Sequence, residues 1–217
     1  MTRGLLLILW GWVMIWSVVS GRLGLLLREM FHSLVWISGA ALMIAGLTIF
    51  LRSYGQWERV SLSSMAAALM ALLVLIIPPN PSFSDLATNR PQELPEPPEL
   101  AFVLPPEQRT LTEWVQLLRN QPDPDLVDGD PVVISGFVWI QNDRPPLIAR
   151  LIVRCCLADA TPAGLLVDWP DDAELKTNQW LKIQGQMKVA VRNEQRVAVV
   201  VPQIMTPIPR PKRPLEP

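Results

Sequence analysis

The sequence is poor in the residues from which most catalytic centres are built. It has two cysteines, one histidine and one tyrosine in 217 residues. The cysteines are adjacent, Cys155 and Cys156, which excludes a conventional disulfide framework. His32 stands alone, so a centre built from several imidazoles is excluded too. No Ser/His/Asp set, phosphate-cradling glycine loop or paired carboxylates can be picked out, and an enzyme is not expected. Formal charge is nearly balanced at -1, leaving no basic field to attract nucleic acid or acidic lipid.

Charge is missing locally as well. Between Arg3 and Arg22 every residue is uncharged, and the same holds from Met30 to Leu51 and from Val60 to Ser84. Each run reaches the roughly 17–25 residues a helix needs to cross about 30 Å of hydrocarbon. Backbone groups in lipid must satisfy one another, so such runs are helical. Spans are therefore expected at about 4–21, 31–51 and 60–77, the last stopped by Pro78 and Pro79. Nine tryptophans outnumber the single tyrosine, and Trp10, Trp12, Trp16, Trp36 and Trp57 lie in or beside these runs. Such amphipathic rings favour the headgroup layer. A cleaved signal peptide is the rival reading of the first run, but no small-x-small site follows Ser20. His32, beside Glu29 at the start of the second run, reads either as an interfacial polar residue or as an ion ligand. Gly39, Ala40, Ala41, Gly46 and Ala66–Ala68 suit close helix packing.

Three spans place the termini on opposite sides. Arg3, Arg52 and Arg59 fall on one side and Arg22, Arg28 and Arg90 on the other, so positive charge barely decides. The signal-like start favours an inside N-terminus. The chain is accordingly expected in the cell (inner) membrane, multi-pass, with its C-terminal domain extracytoplasmic.

Beyond the apolar block, 1–79, proline recurs through 80–108 around PQELPEPPEL, which predicts an extended, semi-rigid spacer. A soluble domain then occupies 109–217. Thr110-x-x-Glu113 is a capping box. Behind it Leu111, Trp114, Val115 and Leu118 share one face of a short helix, which must dock on something. Five β runs follow, at 131–140, 147–155, 164–169, 180–191 and 196–205. Gly136 and Gly185 interrupt two of them where a strand bulges or bends. The expected fold is thus a membrane α-helical N-terminal block followed by a small all-β domain, an OB-like barrel preceded by a short helix. The β runs offer few aromatic platforms, so a nucleic-acid partner is not expected.

The densest chemistry lies in Arg150–Ala160, RLIVRCCLADA. Consecutive strand residues point to opposite faces, so only one thiol would enter a core. If the strand ends at Cys155, the turn can gather Cys155, Cys156 and Asp159, and two thiolates with a carboxylate suit a zinc-like or softer cation. Arg150 and Arg154 could lower a thiol pKa. Three readings stay open: a packed cysteine with a turn-capping aspartate, a metal or ligand site, and thiol redox chemistry.

Several segments, taken in order, resemble the YcgQ-like family of bacterial membrane proteins. They are Ser20-Gly21, the IIPPNPSFS exit from the third run, Asn89-Arg90, Ile134–Val138, Ala149-Arg150, Cys155-Cys156-x-Ala-Asp159-Ala160, Gly164–Val167 and Trp180–Gly185. The cysteine string is the specific part, and the 80–106 linker is longer than the family pattern. The resemblance implies a subunit associated with a multispanning permease of unassigned substrate, with no secure role for the matched cysteines. Taken together, these readings predict a membrane-anchored accessory subunit whose β domain holds or presents a substrate or ion, with a multispanning permease as partner. No cofactor is expected beyond a metal ion. The alternative is a membrane-tethered metal- or thiol-handling protein acting through Cys155, Cys156 and Asp159. A third is a structural envelope protein.

Overall fold

The computed structural model describes residues 2–53, 61–90, 104–121, 123–141, 144–192 and 194–216. The chain forms two units, Met1–Asn80 with Cys155–Leu157, and Pro81–Arg154 with Ala158–Pro217. Residues 91–103, the centre of the expected spacer, lie outside the described residues, as do Trp57 and Arg59.

In the first unit, helices α1 (Thr2–Val19) and α2 (His32–Arg52) form a hairpin, followed by α3 (Leu62–Ile76). Glycine sets the separation of the hairpin. Gly4 and Gly11 on α1, and Gly39 and Gly46 on α2, are two helical turns apart and so share a face. A Cβ on Gly11 would lie 2.6 Å from the Gly39 carbonyl oxygen, and one on Gly46 would lie 2.7 Å from that of Gly4. The backbones therefore touch, as small residues allow. Apart from these four glycines, Val13 is the one buried residue of either helix. The apolar surface that remains is exposed, including Trp12, Trp16, Trp36, Ile37 and Ile44. Gly11→Leu should destabilise the hairpin by about 1–3 kcal/mol, because it wedges backbone from backbone. An exposed control, Ile44→Leu, should be silent when thermal unfolding is followed in detergent. Equal melting of the two variants would contradict the close approach.

Two helices, Thr2–Val19 and Glu29–Arg52, are long and apolar enough to cross a membrane. Helix α3 is shorter than the span expected at 60–77. Its 15 residues reach about 22 Å, less than the roughly 30 Å of hydrocarbon. Ser61 caps its start by accepting the Ser64 N–H. At its other end Arg22 donates to the carbonyls of Val74 (3.2 Å) and Leu75 (2.7 Å), satisfying groups a helix end leaves open. Near its start, Ser64, Met65 and Ala68 line a cavity of about 230 Å³ with Thr2, Leu5, Leu6 and Leu9. These two contacts run α3 parallel to α1.

The second unit is an antiparallel sheet with two short helices against it. Strands β1 (Pro131–Gln141), β2 (Arg144–Ile152), β3 (Thr161–Leu166), β4 (Trp180–Arg192) and β5 (Gln195–Pro207) lie in the order β3-β2-β1-β4-β5. A final pair of residues, β6 (Leu215–Glu216), runs parallel to β2. Strand β1 is shared: its first half pairs with β4 and its second half with β2. At the handover, a Cβ on Gly136 would sit 2.5 Å from the Ala149 carbonyl oxygen. Gly185 marks a true bulge, where the β4–β5 register shifts and a Cβ would meet the Val201 oxygen at 2.1 Å.

The expectation of a closed OB-like barrel needs correction, because the sheet stays open. Among the described residues, the link between its outer ends is an isolated parallel bridge from Val167, just past β3, to Val200 on β5, beside the Asp168 N–H donating to the Val200 carbonyl (2.9 Å). The second and third strands also end and begin earlier than their apolar runs suggested, at Ile152 and Thr161.

Helix α5 (Leu111–Asn120) carries both halves of its capping box, Thr110 N–H to the Glu113 carboxylate and Glu113 N–H to the Thr110 hydroxyl. Its Leu111, Trp114 and Val115 enter the core with Val132, Ile134, Ile148 and Met187. Helix α4 (Phe83–Thr88) was not foreseen, although Ser82 and Asp85 carry a capping pattern. Asn178 fastens it, accepting from Ser84 N–H (2.7 Å) and donating to the Ser82 hydroxyl (2.8 Å). Phe83 then packs with Phe137 and Trp180, ring centroids 5.7 Å from each.

Candidate functional site

Strand β2 stops at Ile152, where the chain leaves the sheet. Val153 N–H donates to the Glu216 carbonyl (2.9 Å), and Arg154 and Cys155 make a bend. One tight helical turn, Leu157–Asp159, returns the chain to β3. Within this continuous stretch, Cys155, Cys156 and Asp159 can each offer a ligand atom, all within 4.8 Å of one another. The two sulfurs are 3.5 Å apart, near the spacing required of two thiolates on one tetrahedral ion with bonds of about 2.3 Å. Asp159 is oriented by the backbone, since its Oδ1 accepts the Arg154 N–H at 3.0 Å. Arg90 donates from Nη1 to the Ala158 carbonyl inside the same turn.

The turn thus gathers the three residues singled out from sequence. It does so because the strand ends before the cysteines, so the two-sided geometry of a strand does not apply to them. Cys155 is exposed and Cys156 half-buried, so neither is a core hydrophobe. In the first unit, Cys156 forms an isolated antiparallel bridge with Leu27, Arg28 N–H donates to the Cys155 carbonyl (3.0 Å) and Leu157 N–H to that of Leu26 (2.8 Å). A donor set of two thiols and a carboxylate fits a zinc-class cation and is poorly matched to magnesium or calcium, which take oxygen ligands.

Two other sequence candidates lie apart from this group. His32 opens α2, and its Nε2 donates to the Leu27 carbonyl at 3.2 Å, since a carbonyl can only accept. Arg150 does not serve the thiols. It is buried, and its guanidinium donates to the Ser135 carbonyl (2.8 Å), the Ser135 hydroxyl (2.7 Å) and the carbonyls of Arg213 (3.3 Å) and Pro214 (3.2 Å). It also pairs with Glu216 (3.5 Å) and lies over the Trp180 ring (4.9 Å). Burial pushes its pKa down, and the Glu216 carboxylate pulls it partly back. Its role is structural: it clamps the C-terminal residues beside β2.

A family model described as the DUF1980 C-terminal domain matches residues 107–215. The chain belongs to this family. The DUF1980 domain runs from the turn before α5, through the whole sheet and the Cys155–Asp159 turn, into β6. It leaves out Arg90 and α4, which pack within the second unit ahead of it. No curated protein matches the chain. The family description names no activity, so the chemistry must be read from the residues.

Proposed function

We propose that this chain is a membrane-anchored accessory subunit of a multispanning permease, whose β domain holds or presents a substrate or ion. The observation that carries the reading is the α1–α2 hairpin. Its buried residues are four glycines and Val13, while its long apolar faces are left for lipid or for another protein's helices. A soluble protein would bury such faces in its own core. The resemblance to YcgQ-like proteins, with their permease association, supports the same reading at a finer level than the DUF1980 match. In this proposal the chain is multi-pass in a bacterial inner membrane, with the β domain on the extracytoplasmic side and catalysing nothing. An open sheet, its outer ends linked at the Val167–Val200 bridge, suits a module that presents rather than encloses its ligand.

The test is co-purification of tagged full-length protein from native membranes after mild crosslinking. One multispanning permease recovered at a near-fixed ratio is the expected outcome, and recovery of the intact chain alone sinks the proposal. A second reading, a membrane-tethered metal- or thiol-handling protein, is favoured by one observation: the 4.8 Å grouping of Cys155, Cys156 and Asp159.

A further inference from the structure

Resting on that second reading, we infer that the Cys155–Asp159 turn is an exchangeable site for a thiophilic divalent cation of the zinc and cadmium class, with Arg90 as its positioning residue. The ligands are Cys155 Sγ, Cys156 Sγ and one Asp159 carboxylate oxygen, gathered within 4.8 Å. Three protein ligands leave a tetrahedral ion one position for water or for a donor on a delivering or receiving protein, the arrangement of open rather than structural sites. Exposure of Cys155 and half-burial of Cys156 let an ion enter and leave. The carboxylate moves the preference away from purely soft monovalent ions.

Binding must release two protons. Each thiol gives up its S–H proton as the metal–sulfur bond forms. Arg90, donating to the Ala158 carbonyl, fixes the backbone of the turn between Cys156 and Asp159. Asn89-Arg90 lies in a different part of the sequence from the cysteine string, and the fold brings Arg90 to it.

The experiment is a titration of reduced, full-length protein in detergent with Cd²⁺, read by thiolate-to-cadmium charge-transfer absorption, with Zn²⁺ as competitor. One ion per chain is expected, displaced by Zn²⁺ and indifferent to excess Ca²⁺ or Mg²⁺. Cys155→Ser and Cys156→Ser should each weaken binding about a hundredfold, and Asp159→Asn about tenfold. Arg90→Gln should cost about tenfold, with part recovered in Arg90→Lys, while thermal melting stays unchanged. Metal bound through both thiols but unaffected by Asp159→Asn and Arg90→Gln overturns this site description and spares the metal-handling reading. Absence of any thiolate band in the wild type overturns both.

Discussion

Arg150→Ala is expected to lower the stability of the second unit by about 3–5 kcal/mol, because it strips the partner from a buried ion pair and several carbonyls at once. Arg150 is 7% exposed, and its partners come from Ser135 on β1 and from Arg213, Pro214 and Glu216 near the end of the chain. Glu216 also accepts a hydrogen bond from the Thr112 hydroxyl on α5, so the loss reaches a third element. In a domain of this size the melting temperature should fall by about 10–20 °C. Tryptic cleavage after Lys212 should speed up in the variant, since the clamp on the tail is gone; Arg210 and Arg213 each precede proline and are not cut. The double variant Arg150→Met/Glu216→Leu should recover part of the loss, because both charges then leave together. Unchanged melting and unchanged tail cleavage in Arg150→Ala would show that the tail is held by something else.

Trp114→Ala should cost a similar amount, about 3–5 kcal/mol, through the cavity left where α5 meets the sheet. Trp114 has no exposed surface, and Arg109 covers its ring at 4.5 Å while pairing with Asp130 at 3.3 Å. Trp114→Phe separates packing from hydrogen bonding. Among the described residues the indole Nε1 has no hydrogen-bond partner, so replacing it removes a buried polar group that is not compensated. The phenylalanine variant should therefore melt much closer to wild type than the alanine variant. If the two variants fell equally, the indole N–H and not the ring's volume would be holding α5 in place.

Much of the secondary structure was legible because it follows from short-range chemistry. The capping box at Thr110 and the apolar face behind it predict α5, and the face is buried as its spacing requires. Three of the five β runs, those at 131–140, 180–191 and 196–205, overlap their strands closely, since alternation and turn residues are local signals, while the run at 164–169 shares only its first half with β3. The run at 147–155 overreached. Its apolar continuation through Val153 is buried by the C-terminal residues and not by strand pairing alone, as the Val153 N–H to the Glu216 carbonyl shows. Helix α4 was missed because six residues bear no periodicity; what stabilises it is Asn178, far away in sequence.

The candidate site divides along the same line. That Cys155, Cys156 and Asp159 can meet depends only on where a strand ends within one short stretch, so the sequence could raise it. The engagement of Arg150 could not be read there. Two basic residues beside two cysteines look like thiol activators until the sheet turns one of them inward toward Ser135 and Glu216.

By itself the sequence determined the apolar N-terminal helices, the cap of α5 and the existence of a β domain. Periodicity, uncharged length and capping chemistry act over a few residues and need no partner. Only the tertiary structure decided that glycine sets the α1–α2 separation, that the sheet stays open, that Arg150 clamps the tail and that Arg90 reaches the cysteine turn. Each of these joins residues far apart in the chain, and such contacts are chosen by packing and by the pairing of buried polar groups, which no local pattern records.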